Sequence, residues 1–394
     1  MRASSIAGCR LKSPRSVGPP GRTVVTARRS VGFASLSDLE AAASRRVGAK
    51  IASYIAGAAA TGWTERENVR AFDRWVLRPR VLAGVREVDL RTKLLGAPVS
   101  APLYIAPTAY QGLIHPDGDG GIARAAGRAG VLAMFSTLSS WSLERISAAE
   151  PRGPRWFQLY LQPKWTATER LVKRAERAGF TALVLTADVP VLGVRDAQLR
   201  TGFAIDRTLP VGNAPGVVPP PRGPELDGAN YSTGREFSET WEIVDRLREV
   251  TRLPLVVKGV LDPRDARKAV EHGARAVIVS NHGGRQLDRA PPALSALPVV
   301  ARAVGRRAEV YLDGGVRRGS DVLIALALGA RAVGVGRPPL WALAVSGETG
   351  VSRYLSLLLS DLASAMLLTG RRSVTEVDRT LVRPWPDERA SERA

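Results

Sequence analysis

The stretch Val277–Asp288, VIVSNHGGRQLD, decides how this chain is read. It opens as a short β-branched run and breaks at Asn281-His282-Gly283-Gly284. An apolar run of four or five residues that ends in Asn, His and two glycines has the pattern of a buried parallel strand with polar groups at its C-terminal end. In a barrel of alternating strands and helices, chemistry is housed at that end. The imidazole of His282 and the guanidinium of Arg285 stand three residues apart, so a base lies beside a fork that can hold a carboxylate. That pair suits proton removal from a small hydroxy acid. The plain alternative is a strand-to-helix turn whose histidine is only hydrogen-bonded.

The rest of the chain repeats this pattern. Strand-like runs sit at Leu103–Ala106, Val131–Phe135, Trp156–Tyr160, Ala182–Thr186, Leu255–Lys258, Ala276–Ser280, Glu309–Leu312 and Ala332–Val335. Helical stretches such as Thr168–Ala178 and Pro263–His272 fall between them. About eight βα units predict an α/β fold, a closed (β/α)8 TIM barrel with N-terminal helices and a long loop after strand four. The alternative is a doubly wound open sheet, for which no GxGxxG follows an early strand. The sequence predicts three segments: a disordered or targeting leader over 1–33, a barrel domain over 34–380 and a charged tail over 381–394. Ser37 and Glu40 predict a capping box at the start of the ordered part. The connection Asp196–Thr240 carries Pro210, Gly212, Pro215, Pro219, Pro220, Pro221 and Pro224, and predicts a mobile cover over the site, or else a solvated excursion.

Composition limits the function classes. Hydrophobic residues make up 45% and charged residues 24%, as in soluble globular proteins. The single Cys9 excludes an intrachain disulfide framework, which fits a reducing, cytoplasmic setting. No apolar run free of charge predicts a membrane span, because Asp361 interrupts the most apolar piece. The formal charge is +20, from 57 Lys and Arg against 37 Asp and Glu. No basic cluster interleaved with aromatics accompanies it, so no nucleic-acid partner is expected. No spacing of His, Cys and carboxylates points to a metal. Residues 1–30 hold basic residues and no acid, as a transit peptide or a mis-assigned start would.

Two glycine pairs stand at adjacent strand ends: Asp313-Gly314-Gly315-Val316-Arg317 and Gly334-Val335-Gly336-Arg337. Glycines there let backbone N–H groups approach a phosphate, and the arginines add charge. Lys258 ends an apolar strand and must point somewhere polar. His115 reads as a loop residue fixing a helix start, and His272 as a helix-terminal cation.

The string Ser280–Asp288 resembles the signature of the FMN-dependent 2-hydroxy-acid oxidases and dehydrogenases, the glycolate oxidase and lactate oxidase family. The similarity spans roughly residues 34 to 380 and implies an FMN cofactor. It implies FMN contacts at Pro107, Thr108, Ala109, Ser136, Gln158, Thr186, Lys258, Ser280, Asp313, Gly314, Gly315, Arg317, Gly336 and Arg337. By the same resemblance His282 is the catalytic base and Asp188 orients it. Tyr160 bonds the substrate oxygen, and Arg195, Arg285 and Tyr54 hold the substrate carboxylate. His282 would take the hydroxyl proton as hydride leaves for the flavin; carbanion transfer is the other order of events.

Specificity is read from departures. Counting from Ser142-Leu143-Glu144 puts Leu138 where glycolate oxidases carry Trp; aligning on Ser139-Ser140-Trp141 puts Trp141 there. Leu138 would leave room for an aryl or longer side chain. The pieces APTAYQGLIHPDGD and TLSSWSLERI look similar to 4-hydroxymandelate oxidases, so a mandelate-type acid is expected. Ala58-Ala59-Ala60-Thr61 departs from relatives and leaves the pose of Tyr54 open. Ala109 leans toward oxygen as electron acceptor, with hydrogen peroxide as product. A quinone- or dye-linked dehydrogenase and a non-catalytic FMN-binding protein are the alternatives. The resemblance also implies a homo-oligomer, a tetramer or octamer, with no membrane partner.

Overall fold

The structure is a computed structural model that describes residues 33–205, 211–213 and 239–385. Eight parallel strands close into a barrel: β1 Leu103–Ile105, β2 Leu132–Ser136, β3 Arg155–Leu159, β4 Leu183–Thr186, β5 Leu255–Val260, β6 Ala276–Val279, β7 Glu309–Asp313 and β8 Ala332–Val335. Each pairs with the next, and β8 returns to β1. The TIM barrel expected from the βα repeat is therefore present, with strand limits within two residues of those predicted.

Strand periodicity explains both the core and the site. Successive side chains alternate between the two faces of a strand. The outward set, including Leu103, Phe135, Phe157, Leu185, Val257, Val279 and Leu312, packs under the helices. The inward set begins with apolar residues: Tyr104, Leu132, Met134, Trp156, Val184, Val256, Ile278 and Tyr311 fill the barrel interior. Tyr104 and Trp156 meet Tyr311 edge-on, with ring centroids 6.1 and 5.5 Å apart. Gly334 makes room for them, since a Cβ there would lie 2.3 Å from the Tyr104 ring. Two residues further along the strands the inward positions turn polar: Ser136, Gln158, Thr186, Lys258, Ser280 and Asp313. The same period that fills the barrel thus lays a polar floor at its C-terminal face.

Helices α1 Leu39–Ala56 and α2 Trp63–Asp73 precede the barrel, and α3 Gly118–Ala129, α4 Leu143–Ala149 and α5 Trp165–Arg177 follow β1 to β3. A short α6 Asp196–Thr201 and α7 Glu242–Val250 lie between β4 and β5; α8 Pro263–Glu271, α9 Ala293–Val304, α10 Gly319–Ala327 and α11 Arg337–Leu368 complete the set. The expected capping box at Ser37 and Glu40 is corrected: the contacts form two residues earlier, where Ser35 N–H and Oγ both donate to Asp38 Oδ2. A 3-10 turn at Leu36–Asp38 precedes α1 and moves its entry upstream. Gly48, at φ +76°, kinks α1. The sequence reading of membrane spans is also corrected, because α11 is long and apolar enough to cross a membrane by length and composition. It is broken at Ser346–Gly347, and one face, from Leu340 to Met366, is buried in the domain.

The expected boundary at 380 is moved outward. Val382–Pro384 pairs antiparallel with Trp75–Leu77. Residues 1–32 of the predicted leader, Cys9 included, lie outside the described residues, as does the rest of the tail, whereas Phe33 is buried in the core.

Candidate active site

A cavity opens at the C-terminal ends of the strands. Tyr54, Pro107, Thr108, Ala109, Ser136, Tyr160, Arg195, Lys258, His282, Arg285, Asp313, Gly314, Gly315, Arg317, Gly336 and Arg337 all line it. Of the twenty residues expected at the site, only Gln158, Thr186, Asp188 and Ser280 stand behind the wall, and each is bonded to a residue in that wall or floor.

Two hydrogen-bonded chains make the floor. Ser136 Oγ donates to Gln158 Oε1 at 2.8 Å, and Gln158 Nε2 donates to Thr186 Oγ1 at 2.9 Å. Beside it, Lys258 Nζ donates to Ser280 Oγ at 2.9 Å, and Ser280 Oγ donates to Asp313 Oδ1 at 2.5 Å. Lys258 is 4% exposed and Asp313 5%, so each charge needs the other in this dry setting. Their closest charged atoms are 3.5 Å apart.

His282 follows β6 with a left-handed φ of +58°. Its backbone N–H donates to Ser280 Oγ at 3.0 Å, which ties the turn to the floor. Nδ1 lies 3.0 Å from Oδ1 of Asp188. With Asp188 ionised, Nδ1 carries the proton and donates, leaving the Nε2 lone pair for the cavity. Burial outweighs Asp188 and holds the imidazole below its ordinary range, so it is neutral and able to accept a proton. Burial pulls the Asp188 carboxyl up, but His282 and Lys258 pull harder and keep it below the usual carboxylate range.

Arginines crowd the opposite side. Arg285 Nη1 donates to Gly57 O at 2.5 Å and Ile55 O at 3.3 Å, so part of its fork is held by the C-terminus of α1. Burial, then Arg195 and Arg337, push its guanidinium well below the ordinary range. The physical content is that guanidinia share a dry space in want of an anion. Tyr54 donates its hydroxyl to Ala109 O at 2.8 Å and stacks on Phe203 at 5.2 Å. Burial pushes the Tyr54 phenol up to about 12 and raises that of Tyr160 further, so both remain protonated donors at neutral pH. The open question of the Ala58–Thr61 loop closes here. Ala59 N donates to Gly284 O and Ala60 N to Val194 O, both at 2.8 Å, which pins the segment after Tyr54 to the site.

At the far end the wall is made of backbone. Gly314 and Gly315 have φ of +107° and +83°, a region closed to other side chains. A Cβ at Gly336 would meet nothing within 4 Å, so open space faces that peptide. Gly336 also caps the N-terminus of α11. Arg337 donates to Gly283 O at 2.9 Å and Gly57 O at 3.1 Å, while its buried Nε has no partner among the described residues. Glycine N–H groups, a helix N-terminus and two arginines form a cradle for a phosphate. A long cavity with that cradle at one end and a polar floor carrying a buried lysine fits FMN, the cofactor the sequence implies. When bound, FMN supplies a two-electron acceptor.

Several lining residues escaped the sequence reading. Tyr110, at φ +55° and 2% exposed, follows Ala109 into the wall. Val189, Leu192 and Ile205, on the segment after β4, add apolar surface, and Leu340 adds more from α11. Their signal was available only as apolar residues next to recognised motifs. Of the two candidates on the segment after β2, Leu138 lines the cavity. Trp141 instead packs on Gly120, where a Cβ would come within 2.2 Å of its ring. Of the cover expected at Asp196–Thr240, residues to 205 form α6 and part of the wall, and Gly212 and Asn213 bond the segment after β2. Residues 206–210 and 214–238 lie outside the described residues. His115 bonds the backbone N of Asp117, and His272 pairs with Asp245 at 2.6 Å; neither lines the cavity.

Comparison with known proteins agrees with this geometry. The profile of the family described as FMN-dependent dehydrogenase matches residues 43–384. 2-Hydroxyacid oxidase 2 of Homo sapiens is 44% identical over 350 residues, 88% of this chain and 97% of that protein. Glycolate oxidase of Spinacia oleracea is 42% identical over 371 residues, 91% of this chain and 99% of the relative. A crystal structure of mandelate oxidase superposes with a TM-score of 0.81 at 41% identity, covering 89% of this chain and 98% of that one. The chain therefore belongs to the family of FMN-dependent dehydrogenases and is an oxidoreductase that uses FMN.

Proposed function

We propose that this enzyme oxidises an L- or S-2-hydroxy acid with a bulky, mandelate-type side chain to the 2-oxo acid, and that oxygen is then reduced to hydrogen peroxide. The observation that carries the reading is the convergence of a neutral, carboxylate-oriented imidazole and two arginines on one cavity. The substrate carboxylate pairs with Arg285 and Arg195, which lowers the repulsion between them. Tyr160 donates to a substrate oxygen. His282 Nε2 takes the hydroxyl proton, and Asp188 stabilises the imidazolium that results. FMN, when bound, would accept the α-hydrogen with its electron pair, so that the substrate would lose two hydrogens and become a carbonyl.

Leu138 supports the larger side chain, because its position in the wall leaves space that an indole would fill. The relatives include both glycolate and mandelate oxidases, so the choice rests on this wall. Anaerobic bleaching of the yellow protein against glycolate, lactate, mandelate and 4-hydroxymandelate tests it. Faster bleaching by the mandelates is expected, and faster bleaching by glycolate would reject the assignment. Peroxide yield under air, compared with dye reduction, tests the acceptor.

A further inference from the structure

One carboxylate stands where the cofactor site calls for positive charge. Glu65, in the first turn of α2, has Oε1 3.6 Å from Arg317 Nη2 and 4.0 Å from Arg337 Nη1. Among the described residues it is the carboxylate that ion-pairs with both arginines of the glycine-walled cradle. The backbone holds it there: a Cβ at Gly284 would sit 2.5 Å from Glu65 N, so the turn after β6 and the start of α2 are in direct contact. Arg337 is also fixed by Gly283 O and Gly57 O, and Arg317 by Val316 O at 3.1 Å. Arg337, the more buried of the two, is thereby held beside the carboxylate.

We infer that Glu65 is a built-in competitor for the FMN phosphate: it partly offsets the charge of Arg317 and Arg337 in the cofactor-free protein and weakens their hold on the phosphate when FMN loads. The inference rests on reading the glycine-walled end as the phosphate end. A phosphate monoester carries close to two negative charges at neutral pH. An anion bonded to Arg317 at ordinary hydrogen-bond length lies within roughly 7 Å of the Glu65 carboxylate. Like charges at that range repel, and the partly buried setting screens them less than bulk water does. The same carboxylate also favours the N-terminus of α2, a helix-stabilising role with no bearing on phosphate.

The two roles separate by measuring FMN and riboflavin side by side, since riboflavin lacks the phosphate. Apoprotein is titrated with each, following flavin fluorescence quenching, for the wild type, Glu65→Gln and Glu65→Asp. Wild type should prefer FMN. Glu65→Gln should raise that preference by on the order of three- to tenfold, the scale of a partly exposed charge pair, with riboflavin unchanged. Glu65→Asp should fall between, and the melting temperature of Glu65→Gln apoprotein should drop while its gain on adding FMN grows. An unchanged FMN-to-riboflavin ratio in Glu65→Gln, with or without a lower melting temperature, leaves Glu65 a helix-end acid and overturns the inference. A wild type with no preference for FMN would overturn the phosphate reading as well.

Discussion

His282 sits in a left-handed backbone conformation that costs a non-glycine residue stability, and the structure over-determines it. Ser280 holds its N–H, Asp188 holds its ring, and Gly283 and Gly284, at φ +64° and +74°, continue the turn. The neighbours in the motif divide the labour. Asn281 and Asn68 exchange two 2.8 Å hydrogen bonds, which dock α2. Gln286 Nε2 donates to Val191 O at 2.7 Å, and Asp288 accepts from Thr61 N and Thr64 N at the start of α2. His282→Gln should retain yellow flavin but lose 10²- to 10⁴-fold in turnover, the usual scale for a general base. Near-normal turnover with bound flavin would remove the assigned base. Because burial lowers the His282 pKa, the acid limb of kcat/KM should lie below pH 6.5; a limb above it would contradict a neutral base at physiological pH. Arg285→Lys should raise KM by about ten- to a hundredfold, the worth of a charged hydrogen bond, with little change in FMN affinity. These roles were legible because they sit in one contiguous motif. Tyr110 was not, since nothing in the sequence marks a tyrosine that must adopt φ +55° beside the cofactor loop.

At the scale of elements, the segment joining β2 to α4 decides how the cavity is shaped. Leu138 sits on it, with its N–H bonded to Ser136 Oγ at 3.1 Å and its carbonyl accepting from Tyr110 N at 3.0 Å. Leu138→Trp should cut kcat/KM for mandelate at least tenfold relative to glycolate, since pocket volume alone gives discrimination of that order. Equal losses on both acids would mean that Leu138 does not face the substrate side chain. The same segment is clamped from α3: Asp119 Oδ2 accepts from Trp141 N at 3.0 Å, while Oδ1 is buried without a partner among the described residues. Burial raises the Asp119 carboxyl to about 6 from an ordinary 3.8, so the folded state binds a proton that the unfolded state has released. Stability therefore falls as pH rises through that interval, and is level above it. Asp119→Asn lacks this decline, so its melting temperature relative to wild type should climb between about pH 4 and pH 6 and then flatten. A difference that is constant with pH would show Asp119 to be ionised throughout. Strand and helix positions were readable from the sequence because β1 to β8 are buried apolar runs, with only Arg155, Gly259 and Glu309 partly exposed. The start of α1 was not, because two serines, Ser35 and Ser37, offer equivalent caps and only the tertiary fold chooses between them.

Charge acts over the whole molecule. Among the residues lining the cavity, Arg195, Lys258, Arg285, Arg317 and Arg337 face Asp313, with Asp188 and Glu65 close behind, so the site has an excess of cations. The full chain carries +20 as well. Bound FMN offsets the local excess, and a ligand that binds only the folded state at a hundred times its Kd adds about 2.7 kcal/mol of stability. The long-range field has a different consequence. A 2-hydroxy acid is an anion, and a net positive protein raises its concentration at the cavity mouth. The field reaches about 30 Å at 0.01 M salt and about 3 Å at 1 M, whereas the contacts to Arg195 and Arg285 lie inside the protein and are screened far less. Raising ionic strength should therefore increase KM several-fold while kcat stays constant, because chemistry at His282 follows binding. The corresponding methyl ester, which has no charge, should show no such rise. If KM for the acid does not change with salt, the arginines of the cavity alone recruit the substrate, and the +20 surface has no part in it.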